Sequence, residues 1–225
     1  MSEMTWQADR FAAALREKLQ ETLGREPDLL SLTEALTACS DAAEKVCAGR
    51  PMACAPGCPS CCVLNVAVLL PEAMRIAKRL RKRLPPPELS QMLRTLSAHR
   101  SWTRWMDDEE RIIKRAVCPF LDSYGSCRIH EVRPLACRGA ASLDADCCRK
   151  AFSPIVTDDP RLVPADLLRQ AAYDEAFSAL GKALKSKGLD DRSIELGTGV
   201  LAFLEEPEYL DLFTGRGRLP DSLWR

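Results

Sequence analysis

The chain has 225 residues, 46% hydrophobic and 28% charged, with 32 basic and 32 acidic side chains that cancel. Such a composition suits a globular protein with a full hydrophobic core, and the cancelled charge gives no global reason to bind nucleic acid or a membrane. The stretch Met1 to Asp9 lacks the basic and apolar regions of an export signal. The longest apolar run, Val63 to Leu70, contains Asn65 and falls far short of the roughly 20 residues that cross a bilayer. A cytoplasmic protein, without membrane contact and with no nucleic-acid partner, is the expectation.

In chain order, Phe11, Leu15, Leu19 and Leu23 recur every four residues and predict a first helix that stops at Gly24. Ser31-Leu-Thr-Glu34 reads as a capping box opening a second helix, with Leu32, Leu36, Cys39, Ala43 and Cys47 along one side and an end near Gly49-Arg50-Pro51. Cys39 and Cys47 are read as small apolar core residues of that helix. Pro51, Pro56, Gly57 and Pro59 then predict a loop. Pro59 suits a first helical position after a Cys58 cap, which would set Cys58, Cys61 and Cys62 on one side of a short helix start that favours thiolate.

Val63 to Leu70 is either a short buried strand or more of that helix. Pro71-Glu72 opens a helix through Arg83, stopped by Pro85-Pro86-Pro87. A further helical stretch runs from about Glu88 to Ala116, with a break between His99 and Asp107. Arg75, Lys78, Arg79, Arg81, Lys82 and Arg83 form the one basic patch, read as a solvated helix face because no aromatic residues are interleaved with it. Asp122 to Ser126 is a turn between Phe120-Leu121 and Cys127-Arg-Ile129, which predicts a small hairpin. Arg133-Pro134 predicts a helix start. Helices follow from Pro164 to about Lys187, with Leu167, Leu168, Ala171, Ala172, Phe177 and Leu180 facing the core, and from Ser193 to Leu204. The tail from Glu205 to Arg225 reads as loops. The fold class is mainly α: one irregular helical domain over 1–225, with a cysteine-rich core at 54–150, one short hairpin, and flanking helices at 1–50 and 160–205.

The chemistry lies in the eleven cysteines. Cys54-Ala-Pro-Gly-Cys58-Pro-Ser-Cys61-Cys62 places four thiols in nine residues, and Cys118, Cys127, Cys137 and the pair Cys147-Cys148 follow. In a reducing compartment clustered thiols read as metal-binding or catalytic rather than as a disulfide framework. Deprotonated cysteine is a soft ligand that selects zinc, copper(I) or iron–sulfur clusters. A tetrahedral zinc site takes four such ligands, so the count suits two four-ligand sites or one such site plus a smaller one. Adjacent Cys61 and Cys62 point in different directions unless a tight turn intervenes, and so could serve two ions. Cys54-x₃-Cys58-x₂-Cys61 is also the spacing that holds a [4Fe–4S] cluster in radical enzymes using S-adenosylmethionine, but the chain shows too few strands for their barrel. Cys58-Pro-Ser-Cys61 has thiol-redox spacing without the βαβ context of that chemistry. A structural zinc module whose helices bind a partner is a third reading. His130, three residues after Cys127, makes a Cys-x-x-His pair that can hold zinc, but with enough thiols present a non-ligand or supporting role beside the site is favoured. Arg133 and Arg138 are expected to offset thiolate charge, and His99 is given no role.

Taken in order, Cys54-x₃-Cys58-x₂-Cys61-Cys62, Cys118-Pro119-Phe120-Leu121, Cys127-Arg128-Ile129-His130-Glu131-Val132-Arg133-Pro134 and Cys137-Arg138 resemble the blocks of the YkgJ-type cysteine-cluster family of zinc- or iron-chelating proteins. The resemblance covers about residues 54 to 150. It implies chelation of zinc or iron by Cys54, Cys58, Cys61, Cys62, Cys118, Cys127, Cys137 and Cys148, the last preferred over Cys147 because Arg149-Lys150-Ala151 resembles a helix start in relatives. His130 stands where an aromatic residue is common. A flagellin lysine methylase with a similar cysteine group uses an iron–sulfur cluster. That keeps open an alternative: an iron–sulfur protein with redox or S-adenosylmethionine-dependent methyl-transfer activity. Whether the chain is an enzyme stays open.

Overall fold

A computed structural model describes residues 6–155 and 162–224. Most of Met1 to Asp9, read for an export signal, and the first two residues of the segment 160–205 lie outside the described residues. The architecture is mainly helical with one small sheet. Helix α1 (Ala8–Leu23) buries Leu15, Leu19 and Leu23 and ends where Gly24 takes φ +59°. That left-handed turn is costly for any residue with a Cβ. Helix α2 (Leu29–Val46) starts earlier than the Ser31 box predicts. Asp28 is the cap: its carboxylate accepts Ser31 N–H at 2.8 Å, and Ser31 Oγ accepts Asp28 N–H at 2.9 Å. Aspartate is as good a cap as serine, and Pro27 directly before it favours an extended start. Cys39 and Cys47 lie in the core on this helix, as expected.

Strand β1 (Ala67–Leu69) runs straight into helix α3 (Leu70–Arg83), so the apolar run 63–70 supplies both a strand and a helix start. Helix α4 (Pro86–Thr103) begins inside the proline triplet, since proline fits the first helical turn. It breaks before α5 (Asp108–Ile113), which Asp107 caps. After the cysteine-rich centre, helix α8 (Leu167–Ser186) buries Ala172, Tyr173, Ala176, Ala179, Leu180, Ala183 and Leu184. The predicted face holds at Ala172 and Leu180, which are buried, but not at its start: Leu167 is 73% exposed and Arg169 is buried. Alanines at these positions let α1 and α2 pack closely on α8.

The stretch read as one helix from Ser193 divides. Ser193–Glu195 is strand β2, and helix α9 spans Leu196–Glu205. Strand β2 pairs antiparallel with β1 in the register Ala67–Glu195, Val68–Ile194, Leu69–Ser193. β-branched Ile194 at the pairing centre explains the extended choice. The tail read as loops holds helix α10 (Glu208–Thr214) and buries Phe213 and Leu219. One apolar cluster joins Leu19 of α1, Leu36 of α2, Ile76 of α3, Leu180 of α8 and Val200 of α9. Phe120, Ile129 and Leu135 of the cysteine-rich centre belong to the same cluster, so the core anchors the segments that carry the thiols. No helix among the described residues is long and apolar enough to cross a membrane.

Candidate metal centre

The first cysteine segment does not form the helix start that Pro59 predicts. It folds as successive tight turns, with Cys58 N–H donating to Ala55 O (3.1 Å), Cys62 N–H to Pro59 O (2.9 Å) and Leu64 N–H to Cys61 O (3.2 Å). A longer helix is blocked downstream. Asn65 N–H donates to the Asp108 carboxylate at 2.6 Å, and Val66 O accepts Leu196 N–H at 2.9 Å, which draws the chain out toward β1. Three contacts dock the segment on the rest of the centre. Ala53 N–H donates to Ser142 O at 2.8 Å, and Cys118 N–H donates to Cys62 O at 2.7 Å. The third is the hairpin turn at Gly125, φ +77°, where a Cβ would lie 3.6 Å from both Gly57 O and Pro59 Cγ.

The hairpin itself is present in its smallest form. Leu121 and Cys127 form an antiparallel bridge, and the Asp122 carboxylate accepts the Tyr124 and Ser126 N–H groups. A 3₁₀ turn, His130–Val132, leads into helix α6 (Leu135–Gly139), which carries Cys137. Buried Glu72 ties α6 to α3: one carboxylate oxygen accepts Leu69 N–H and the other accepts Leu135 N–H, both at 2.8 Å. Helix α7 (Ala145–Ala151) carries Cys147 and Cys148 and is capped by Asp144.

All eleven cysteines are free, and they sort by surroundings. Cys39 and Cys47 are enclosed in α2's apolar face. The adjacent Cys61 and Cys62 thiols are coupled: interaction with Cys62 holds Cys61 below the usual thiol range, while Cys61 and burial push Cys62 far up. The tight turn at 59–62 that keeps them in reach of each other is the one case in which the sequence reading does not set them apart. Cys62 is also raised by burial and by the charges of Cys61, Cys118 and Cys137. Burial, then Cys127, Glu195 and Cys61, push Cys118 up to about 12. Burial raises Cys137, which also feels Cys118, Cys61 and Cys127. Cys148 is raised by burial and then by Cys54, Cys61 and Cys58, while its thiol hydrogen-bonds Ser142. Two groups emerge: Cys62, Cys118, Cys127 and Cys137 on one side, and Cys54, Cys58 and Cys148 on the other, with Cys61 facing both.

Cys147 stands apart. Its thiol donates to the Asp144 carboxylate, which also accepts its backbone N–H at 3.0 Å. Cys148, buried, is the member of the pair turned toward the first segment. Arg133 faces the thiols and pulls Cys61, Cys127 and Cys137 downward. Arg138 donates through its guanidinium to Arg133 O at 2.9 Å and Glu131 O at 3.1 Å and so braces the loop that presents Arg133. His130 is exposed beside these arginines. In the basic patch, Arg79 and Arg83 both pair with Glu131, so part of that face is neutralised at the edge of the centre. Among the described residues no three or more His, Cys, Asp or Glu side chains are arranged to hold a metal ion as they stand.

Ser142 and Asp144, which orient Cys148 and Cys147, escaped the sequence reading. The pattern Ser142-Leu-Asp144 before a short helix is a cap signal that could have found Asp144. Residues 53–149 match the CxxCxxCC family. Its description is "putative zinc- or iron-chelating domain". No curated protein and no solved structure matches the chain. The CxxCxxCC stretch runs from the residue that docks on Ser142 to the one after Cys148, and so spans both thiol groups. Soft, free sulfurs gathered from four segments with a facing arginine fit a zinc ion or an iron centre by donor type.

Proposed function

We propose that this chain is a cytoplasmic metal-binding protein, folded as one unit, that chelates zinc or iron through Cys54, Cys58, Cys61, Cys62, Cys118, Cys127, Cys137 and Cys148. The observation that carries this reading is the sorting of the cysteines. Eight thiols separated by up to 94 positions of sequence sense one another's charge or lie with those that do, and the three outside the set are enclosed in α2 or turned to Asp144. A bound cation would relieve the mutual repulsion of the thiolates, and Arg133 reduces the negative charge that remains. Metal binding requires the thiols to be deprotonated, so uptake by the raised Cys62, Cys118, Cys127, Cys137 and Cys148 releases protons. Free thiols in this number suit the reducing cytosol.

The test is elemental analysis of protein purified without added metal. Stoichiometric zinc or iron is expected, lost in Cys61→Ser and Cys137→Ser but kept in Cys47→Ala and Cys147→Ala. Absence of both metals, or equal loss in all four variants, would overturn the assignment. Cys61 facing both thiol groups favours a second reading, an iron–sulfur centre with redox or methyl-transfer activity, because such clusters are commonly held by four thiolates. Brown colour and broad visible absorbance in an anaerobic preparation select that reading; a colourless zinc protein rejects it.

A further inference from the structure

Helix α3 turns one side outward, and that side carries only cations. Arg75, Lys78, Arg79, Lys82 and Arg83 recur at i, i+3, i+4, i+7 and i+8, the spacing that gathers residues on one helix face. Lys78, Lys82 and Arg83 are exposed, and Arg75 and Arg79 are half-buried. The one acid of the helix, Glu72, is buried in its first turn. A solvated helix ordinarily interleaves acids at these steps, because like charges one turn apart destabilise it. The negative C-terminal end of the helix favours Lys82 and Arg83 but does not reach back to Arg75, Lys78 and Arg79. The turn beside the helix adds positive charge: burial and then Arg138 loosen the proton of Arg75, against the opposite pull of Glu72 and Asp41. Among the described residues the one carboxylate paired with the face is Glu131, which meets both Arg79 and Arg83; Arg75, Lys78 and Lys82 form no ion pair. The other flank is acidic. Arg81 donates to Leu204 O at 2.5 Å, where α9 ends in exposed Glu205, Glu206 and Glu208. The Glu206 carboxyl is raised by its hydrogen bond to Glu208 and by that neighbour's charge. The basic face is therefore a strip with an acidic border.

We propose that this strip docks an extended, carboxylate-rich segment of a partner protein. Glu131 already displays the mode of contact: a carboxylate on an exposed turn, held by two arginines four residues apart on α3. From Arg75 to Arg83 the strip runs about 12 Å, at 1.5 Å per helical residue, the length of about four extended residues. Acids at alternate positions of such a segment stand about 6.6 Å apart, close to the roughly 5–6 Å between cations one helical turn apart. A lone phosphate does not suit the face. The cleft where α3 meets α2 and the turn His130–Val132 holds about 10 Å³, and buried Glu72 lines it beside Arg75 and Arg133. Nucleic acid suits it no better. No aromatic side chain is interleaved with the cations for base stacking, and the acids after Leu204 would repel a broad phosphate surface. The strip adjoins the loop that presents Arg133, so a docked partner lies next to the thiols. Docking itself does not rest on the metal-binding reading.

The test is fluorescence anisotropy of a labelled synthetic peptide in which glutamate alternates with threonine, titrated with the full chain at low salt. Binding is expected, and it should weaken as salt rises. The same peptide with glutamine for glutamate should not bind, and a single-stranded oligonucleotide of equal charge should bind more weakly. Lys78→Glu/Lys82→Glu should lower affinity for the acidic peptide about 10-fold, since each reversal turns an attraction into a repulsion. Lys78→Gln/Lys82→Gln should fall between that variant and wild type. Arg10→Glu/Arg16→Glu makes the same change in net charge on exposed positions of α1, which packs on α2 and α8, and should shift affinity less than about twofold. No binding of the acidic peptide, equal losses in the α3 and α1 variants, or tighter binding of the oligonucleotide would overturn the proposal. Metal content per chain, measured alongside, should be the same in every variant, because none of these side chains is a proposed ligand. A failed docking test with unchanged metal content thus rejects the strip and leaves the metal reading standing.

Discussion

Glu72 concentrates at one residue the tension between burial and hydrogen bonding. Its carboxylate caps α3 through Leu69 and α6 through Leu135, yet burial raises it to about 7, against 4.5 for an ordinary glutamate. A carboxyl group raised on folding binds its proton more tightly in the native state. Its stabilising contribution is therefore complete below about 4.5 and declines as pH rises through 7. The shift corresponds to about 3 kcal/mol at most. Glu72→Gln is expected to flatten the decline in unfolding free energy that wild type should show between pH 5 and 8; equal slopes in denaturant titrations of the two proteins would count against this account. Glu72→Ala should cost about 2–4 kcal/mol, because two helix-start N–H groups lose their acceptor. The individual thiols were the most legible residues in the sequence, since clustered cysteines announce themselves by spacing. The coupling of Cys61 and Cys62 was not legible, because a turn and a helix start share the Pro-Ser-Cys-Cys pattern.

At the level of elements, α6 fits closely against α8. A Cβ added at Gly139 would lie 2.9 Å from Tyr173 Cβ on α8, closer than two carbon atoms can rest. Tyr173 has little room to yield, since it is fully buried and its hydroxyl donates to Glu44 at 2.8 Å. Glu44 also receives both terminal nitrogens of Arg169 at 3.0 Å. Gly139→Ala is thus expected to push α6 and Cys137 away from α8, lowering stability by about 1–3 kcal/mol and weakening metal uptake. Thermal melts and metal titration measure the two effects, and an unchanged melting temperature would show that α8 can move aside. Helix boundaries set by Gly24, Pro85 and Asp107 could be read from the chain because these residues act locally. The face of α8 could not. Its burial follows from alanines that fit under α1 and α2, and from Arg169 turning inward to meet Glu44, partners 125 positions apart.

Across the whole molecule, two kinds of support hold the thiol segments: an apolar core reached by Phe120, Ile129 and Leu135, and the thiols' own meeting place. The helices α1, α2 and α8 pack on one another without any of the eight chelating cysteines. Chelation of bound metal is therefore expected to loosen 54–62 and 118–148 while most helical signal persists. Amide hydrogen exchange would show protection lost in those segments and kept in α8; loss of helical circular dichroism as a whole would mean that the ion holds the entire fold. The mainly helical class was legible from periodicity and the scarcity of strand signals. The β1–β2 pairing was not, because a three-residue strand has no periodicity to read and its register is set by a partner elsewhere in the chain.

That pairing, with α6 seated on α8, has a consequence during synthesis. Residues 67–69 wait for 193–195, and Cys137's helix waits for Tyr173, so every sulfur of the chelating stretch leaves the ribosome before its scaffold exists. A nascent chain halted at residue 150 would carry the whole recognisable motif and still lack the floor and wall on which it stands.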